Sequence, residues 1–231
     1  MAGVQLTYEL DIAPSSTWLT VTPGQQAKRN LPYVQELGDF LAQEKYYTRR
    51  VGLPSYLLKY VLSGEGILEY NGITEAVSPG QAFWIECQKP QYYYTSKVKK
   101  EWHVLWVHFY GHGCARYYEL LLAQNNGHNV LTLPPNTAVP AILRELMDIY
   151  KSGQSTLAGD IRAARLLTDL MSDCALSVCT LPEHEMMPEC IQKARVYLMD
   201  HYNTRITLDD LALKFSMNKF YFQKLFKRYT G

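Results

Sequence analysis

Along residues 219–227, Lys219, Phe220, Gln223, Lys224 and Lys227 combine cations, an amide and a phenyl ring at helical spacing. At roughly 100° per residue, Phe220, Gln223, Lys224 and Lys227 gather on one face of a helix. Phe222, Leu225, Phe226 and Tyr229 follow i, i+3, i+4, i+7 on the other face and are expected to be core. A face that only meets water has no use for a phenyl ring. An α-helix fits the major groove of DNA, where amides and cations hydrogen-bond base edges and an apolar ring meets a thymine methyl. The plain alternative, a lysine-rich surface helix, is not excluded by charge alone.

Those side chains read DNA only if short-range signals hold their helix in place. Thr207, with Asp210 three residues on, forms a short-chain capping box that satisfies orphan amide donors. It starts a first helix that buries Leu208, Leu211 and Ala212. Ser216-Met217-Asn218 makes the turn, and Asn218 caps the second helix. Ahead of them, Pro188 to about Tyr202 predicts a further helix with Ile191, Ala194 and Leu198 on one face. Residues 188–231 carry a net charge of +4 and the remainder −3, and no acid follows Asp210, so this end is basic.

The first 130 residues have a different texture. Tyr56-Leu-Leu-Lys-Tyr-Val-Leu, Gly66-Ile-Leu-Glu-Tyr, Ala82-Phe-Trp-Ile and Trp102-His-Val-Leu-Trp-Val-His-Phe are short runs rich in aromatic and branched residues. Between them sit Ser63-Gly64-Glu65-Gly66, Asn71-Gly72 and Ser78-Pro79-Gly80, all turn chemistry. Short strands at near-regular spacing imply an antiparallel sandwich or barrel. Leu37 to Tyr47 reads either as irregular chain or as a first strand.

Ile206-Thr-Leu-Asp-Asp-Leu-Ala, then Met217-Asn-Lys-Phe-Tyr-Phe-Gln-Lys-Leu-Phe-Lys, then Thr230-Gly, resembles the first helix-turn-helix of the AraC/XylS family of bacterial transcription regulators. The order Gly64-x-Gly66, Asn71-Gly72, Pro79-Gly80, Pro90 and Glu101-Trp102-(x3)-Trp106-Val-His-Phe, over residues 40 to 112, resembles the cupin-like effector domain that precedes it in that family. The resemblance implies a ligand-responsive, DNA-binding transcription regulator. In the family a connecting helix and a second helix-turn-helix follow the glycine that here is Gly231. The expectation is thus a truncated DNA-binding module with weak affinity for double-stranded DNA.

Composition narrows the classes. At 231 residues with 47% apolar content, the chain has room for one good core and a small second unit, and wholesale disorder is excluded. No apolar run suits a bilayer span and no basic-then-apolar leader opens the chain, so no membrane partner and a cytoplasmic location are expected. Five cysteines, without a CxxC pair, make neither a disulfide framework nor a structural zinc site. A metal-dependent cupin needs two or three convergent histidines and a carboxylate. Gly64 to Gly72 holds no histidine, and Pro90-Gln91-Tyr92-Tyr93-Tyr94 stands where the second metal motif would place one. His103 and His108 point to opposite faces of a regular strand, and His108 meets His112 only if the chain bends at Gly111. No metal, no cofactor and no catalytic residue are therefore expected. The alternatives are a cupin-fold enzyme such as a sugar isomerase, or a ligand-binding or dimerisation module with an inert helix-turn-helix remnant.

What remains for a barrel interior is aromatic and polar. In a strand Trp102, Val104, Trp106 and His108 share one face. Indole faces with a few hydrogen-bonding groups suit a sugar or a related small polar effector. The family's sugar-binding members imply pocket positions at Arg49, Tyr93 and Trp106. Trp102 reads equally as pocket or as ordinary core, and for Arg49 the alternative is a surface cation.

Pro134-Pro135 ends the sheet region. Two helices are expected after it, Val139 to Lys151 and Leu157 to about Leu181. In the second, Ile161, Ala164, Leu167, Met171, Cys174 and Val178 form a stripe that Leu166, Leu170 and Ser177 widen. The expectation is either a homodimer through these helices or a pair that caps its own barrel. The architecture expected is α+β. It has a cupin-like antiparallel β-barrel or sandwich with an N-terminal arm over 1–135, a helical dimerisation and linker region over 136–187, and a three-helix helix-turn-helix subdomain over 188–231. Leu181 to Pro188 is the expected linker.

Overall fold

The computed structural model describes residues 3–151, 156–179 and 187–230. The described chain falls into two compact units, divided after Cys179. Most of the expected linker, Leu181 to Met186, lies outside the described residues, as does Gly231.

The N-terminal unit holds two antiparallel sheets. One is built from β1 (Gln5–Glu9), β4 (Tyr47–Val51), β9 (Gln91–Thr95), β6 (Gly66–Tyr70) and β7 (Ile73–Val77), hydrogen-bonded in that order. The other runs β11 (Val130–Thr132), β8 (Gln81–Glu86), β5 (Tyr56–Gly64), β10 (Glu101–Gly111), β3 (Pro32–Gln43) and β2 (Thr17–Thr20). The segment left open between irregular chain and strand, Leu37 to Tyr47, is the second half of β3, the turn after it and the first residue of β4. Asn71 and Gly72 both take positive φ, 52° and 77°, the primed turn whose twist matches a tight hairpin between β6 and β7.

The central strands read as continuous apolar runs because both of their faces are covered. On β5, Leu57 and Val61 point between the sheets with Lys59, while Tyr56, Leu58 and Tyr60 point to the helices. On β10, Trp102, Val104 and Trp106 face the inter-sheet core, and Leu105, Val107 and Phe109 face the other side. The short helix α1 (Gln25–Asn30) precedes β3, and that second core is closed by α2 (Cys114–Gln124), α3 (Val139–Tyr150) and α4 (Leu157–Val178). Trp84 also lies on the helical side.

The broad stripe on α4 is used within the unit, since the helix packs on β3, β11, α2 and α3. Ile161, expected in the stripe, is 54% exposed, and Leu157 and Leu176 are the other exposed large apolar residues of α4. None of the described helices is long and apolar enough to cross a membrane.

Two glycines permit the inter-sheet packing. A Cβ on Gly38 would lie 2.8 Å from the Trp106 ring and 2.5 Å from the Thr17 carbonyl oxygen. On Gly66 it would lie 2.3 Å from the Trp102 ring. Each indole therefore lies flat on backbone that only glycine leaves bare.

The C-terminal unit comprises α5 (Glu189–Asp200), α6 (Leu208–Lys214) and α7 (Lys219–Thr230). Its core is Ile191, Ala194, Leu211 and Phe222, with Leu225, Phe226 and Tyr229 partly buried around them. The capping box on α6 is complete. Thr207 N donates to Asp210 Oδ2 at 2.8 Å and Asp210 N to Thr207 Oγ1 at 3.2 Å. Asn218 Oδ1 accepts the amides of Phe220 and Tyr221 at the start of α7.

Candidate functional site

Strand periodicity decides which side chains enter the space between the sheets. On β4, Thr48 and Arg50 face inward and Arg49 faces out, because successive residues alternate. On β9, Tyr93 is buried while Tyr92 and Tyr94 lie outside. Arg49 pairs in register with Tyr92, and its guanidinium sits 4.5 Å from that ring's centroid on the outer face. Of the two neighbouring arginines, the one named from the sequence is thus outside and Arg50 is inside.

A bulge interrupts β3. β10 pairs His108 with Glu36 but Phe109 with Val34, leaving Gln35 as an extra residue on β3. Val34 and Leu37 can then both face the helical core although three residues apart, while Glu36 keeps the inward phase of Gly38, Phe40 and Ala42.

The cavity so formed has a volume of about 170 Å³. Trp106, Phe40 and Trp18 supply aromatic wall, with Phe40 and Trp106 ring centroids 5.1 Å apart. Leu6 and Tyr8 come from β1, whose register places Leu6 opposite Arg50 and Tyr8 opposite Thr48, so the arm covers the mouth. Both are exposed on their far sides. The volume is below the roughly 300–1,000 Å³ of drug-sized sites, which favours a ligand no larger than a monosaccharide.

His108 is buried and held at both nitrogens. Ser55 Oγ gives its proton to the Tyr56 carbonyl at 3.0 Å and so accepts from His108 Nδ1 at 2.9 Å. Nε2 then accepts from Arg50 Nη1 at 2.9 Å. Burial, with the positive charge of Arg50, holds the imidazole neutral, well below its usual pKa. Burial also pushes the Tyr93 hydroxyl up to about 12 and raises that of Tyr46, so both stay protonated. Glu36 is raised by its half-buried position, against the opposing pull of Arg50 and a hydrogen bond with the Trp18 side chain.

Lys59 is 1% exposed and lines the same cavity. Its Nζ donates to Tyr46 Oη at 3.0 Å. Trp102 is fully buried and does not line the cavity; its ring backs Lys59 at 4.8 Å. His103 lies on the opposite face of β10, with Nε2 2.7 Å from Asp39 Oδ1. Among the described residues, no three His, Cys, Asp or Glu side chains gather into a metal site.

A larger concavity of about 710 Å³ opens on the outer face around Arg49, Glu69, Asn71 and Tyr92. The smaller one is the better candidate, since it lies between the sheets and Trp106, Tyr93, Lys59 and His108, all buried, converge on it. Sequence reasoning missed Arg50, Lys59 and Glu36. A lone lysine inside a run buried on both faces was a readable signal for Lys59, and Glu36 lies in alternating phase with Gly38, Phe40 and Ala42, beside a segment whose strand character the sequence left open.

On α7, Phe220 is 76% exposed, and Gln223, Lys224 and Lys227 are also exposed. Lys219 is tied back to Asp209 at 2.7 Å, which takes part of its charge from the helix face. Tyr221, 58% exposed, adds a second ring that the periodicity did not single out.

Comparisons with known proteins cover both units. Residues 37–171 match the AraC-like ligand binding domain, and residues 198–231 match the bacterial regulatory helix-turn-helix proteins of the AraC family. No curated relative matches the sequence. Among solved structures, the AraC-like transcriptional activator CuxR is similar over 99% of this chain and 81% of its own, at 12% identity and a TM-score of 0.39. YhaK from Escherichia coli is similar over 42% of this chain and 45% of its own, at 11% identity and a TM-score of 0.37. The Cupin_2 domain of an XRE family transcriptional regulator from Enterobacter cloacae is similar over 41% of this chain and 95% of its own, at 12% identity and a TM-score of 0.32.

Proposed function

Because residues 37–171, more than half of its length, match the AraC-like ligand-binding domain, the chain belongs to that family, and we propose how its two units divide the work. The two matched domains make it a ligand-responsive DNA-binding regulator. The finer reading is a small polar effector of sugar size, held between the sheets by Arg50, Tyr93, Trp106 and His108. The observation that carries it is the cavity between the sheets in which indole faces and hydrogen-bonding groups converge.

Residues 1–135 serve as the effector-binding region, 136–187 as the helical dimerisation and linker region, and 188–231 as the DNA-reading unit. Leu157, Ile161 and Leu176 are the apolar side chains that α4 offers to a second copy. The protein works in the cytoplasm, where its DNA is.

An effector in the cavity touches Leu6 and Tyr8 of the arm as well as the barrel. It therefore binds more tightly when β1 is docked on β4 than when the arm is free, and that difference in affinity is what shifts the population. Phe220, Gln223, Lys224 and Lys227 make the groove-facing surface.

A thermal-shift screen against monosaccharides, oligosaccharides and sugar acids tests the first half, since binding only to the folded state raises apparent stability. Monosaccharide-sized compounds are expected to stabilise and oligosaccharides not. DNA retardation with and without the hit tests the second half. Gln223→Ala and Lys224→Ala should relax sequence preference, whereas Lys227→Ala should weaken all sequences alike and reduce the salt slope by about 1. A hit that never alters DNA binding would sink the reading.

A further inference from the structure

Lys59 sits in the middle of β5 between Leu57 and Val61, where a strand covered on both faces otherwise holds only apolar side chains. Around its Nζ stand the rings of Tyr93, Trp102 and Tyr46, with centroids at 4.3, 4.8 and 5.1 Å. Aromatic faces attract a cation. Burial and the nearby Arg50 guanidinium disfavour one, and they depress the amine well below its usual 10.5. Among the described residues no carboxylate forms an ion pair with Lys59.

The other titratable groups facing this space do not supply the missing anion. His108 is neutral, Tyr46 and Tyr93 are protonated, and Glu36 is the one acid, engaged by Arg50 and Trp18. The indole N–H of Trp106, buried on the cavity wall, has no hydrogen-bond partner among the described residues. The cavity is thus rich in donors and poor in acceptors. A neutral sugar brings hydroxyls that must donate as often as they accept. A carboxylate only accepts, and it carries the charge that Lys59 lacks.

We propose that the effector is an acid, its carboxylate seated against Lys59 and Arg50 and its remaining polar body against Trp106. The class is a sugar acid or another small hydroxylated carboxylate. This deepens the effector reading and rests on it, because both place the ligand in the same cavity.

The test uses the full chain and matched pairs that differ in one carboxylate: galactose and galacturonate, glucose and glucuronate, glycerol and glycerate. Titration calorimetry should find at least one acid bound ten-fold or more tighter than its neutral partner. Lys59→Met should cut that preference several-fold, with Arg50 accounting for what remains. Lys59→Gln, which keeps a hydrogen-bonding end without charge, reads the same step if the methionine variant does not fold. A neutral member that binds as tightly as its acid, or an acid preference undiminished in both variants, overturns the proposal and leaves the cavity reading standing. Binding that is indifferent to Trp106→Ala, or no binding by any of these compounds at millimolar concentration, overturns both.

Discussion

Replacing Lys59 with methionine should change how the stability of the N-terminal unit depends on pH. Burial keeps the native amine neutral over a range in which the unfolded chain still carries its proton. Unfolding in that range takes up a proton, so it becomes less favourable as protons become scarce. Stability should rise by about 1.4 kcal/mol per pH unit, from the depressed native pKa of Lys59 up to 10.5. Three buried thiols act against this trend. Burial raises Cys87 and Cys114 to about 12 and raises Cys174 as well, so unfolding releases their protons above about 9. They are unchanged in Lys59→Met, and the difference between the two proteins isolates the lysine. For each pH unit of that range below about 9, the wild type should gain about 1.4 kcal/mol relative to the variant. Met is of similar length and leaves Tyr46 its hydrogen bond with Thr48, so the variant should fold. Urea unfolding followed by tryptophan fluorescence makes the measurement, since Trp18, Trp84, Trp102 and Trp106 all belong to the N-terminal unit. Parallel pH profiles would refute the reasoning, for they would mean that the three rings hold the amine charged inside the fold.

Four further outcomes are expected. His108 is neutral in the fold, so its contribution is lost as pH falls from 6.5 toward its depressed native value; His108→Gln should lose less stability than wild type between pH 6.5 and 5 in a Tm series. Gly38→Ala forces a methyl against the Trp106 ring and the Thr17 carbonyl and should cost about 1–3 kcal/mol, with a shifted tryptophan emission; an unchanged Tm would contradict the packing. Once an effector is found, Arg50→Ala should weaken it by about 1.5–3 kcal/mol while Arg49→Ala leaves the calorimetric affinity near wild type. Thr207→Ala removes the cap of α6 and should destabilise the C-terminal unit by about 1 kcal/mol, read from amide hydrogen exchange in α6 and α7.

The C-terminal helices were legible because their signals are local. Thr207 and Asp210, or Asn218 and the amides it caps, interact across two or three residues, so sequence spacing alone brings them together. The split of α7 into a core side and an outer side follows from helix geometry in the same way, though the ion pair of Lys219 with Asp209 does not. The inward face of Trp106 and His108 was likewise readable from strand alternation. What alternation could not supply was its phase on β4, where Arg49 and Arg50 are adjacent and only the pairing with β9 decides which is inside. Glu36 follows Gly38, Phe40 and Ala42 by the same alternation, whereas the bulge at Gln35, a product of register between β3 and β10 some seventy residues apart in sequence, is what returns Val34 to the helical face beside Leu37. Lys59 stood in the sequence as an anomaly in an apolar run, but its three rings come from β9, β10 and the turn before β4. Helix faces and caps are fixed by neighbours along the chain; the cavity is fixed by which strands lie side by side, and that is settled by the packing of both sheets together.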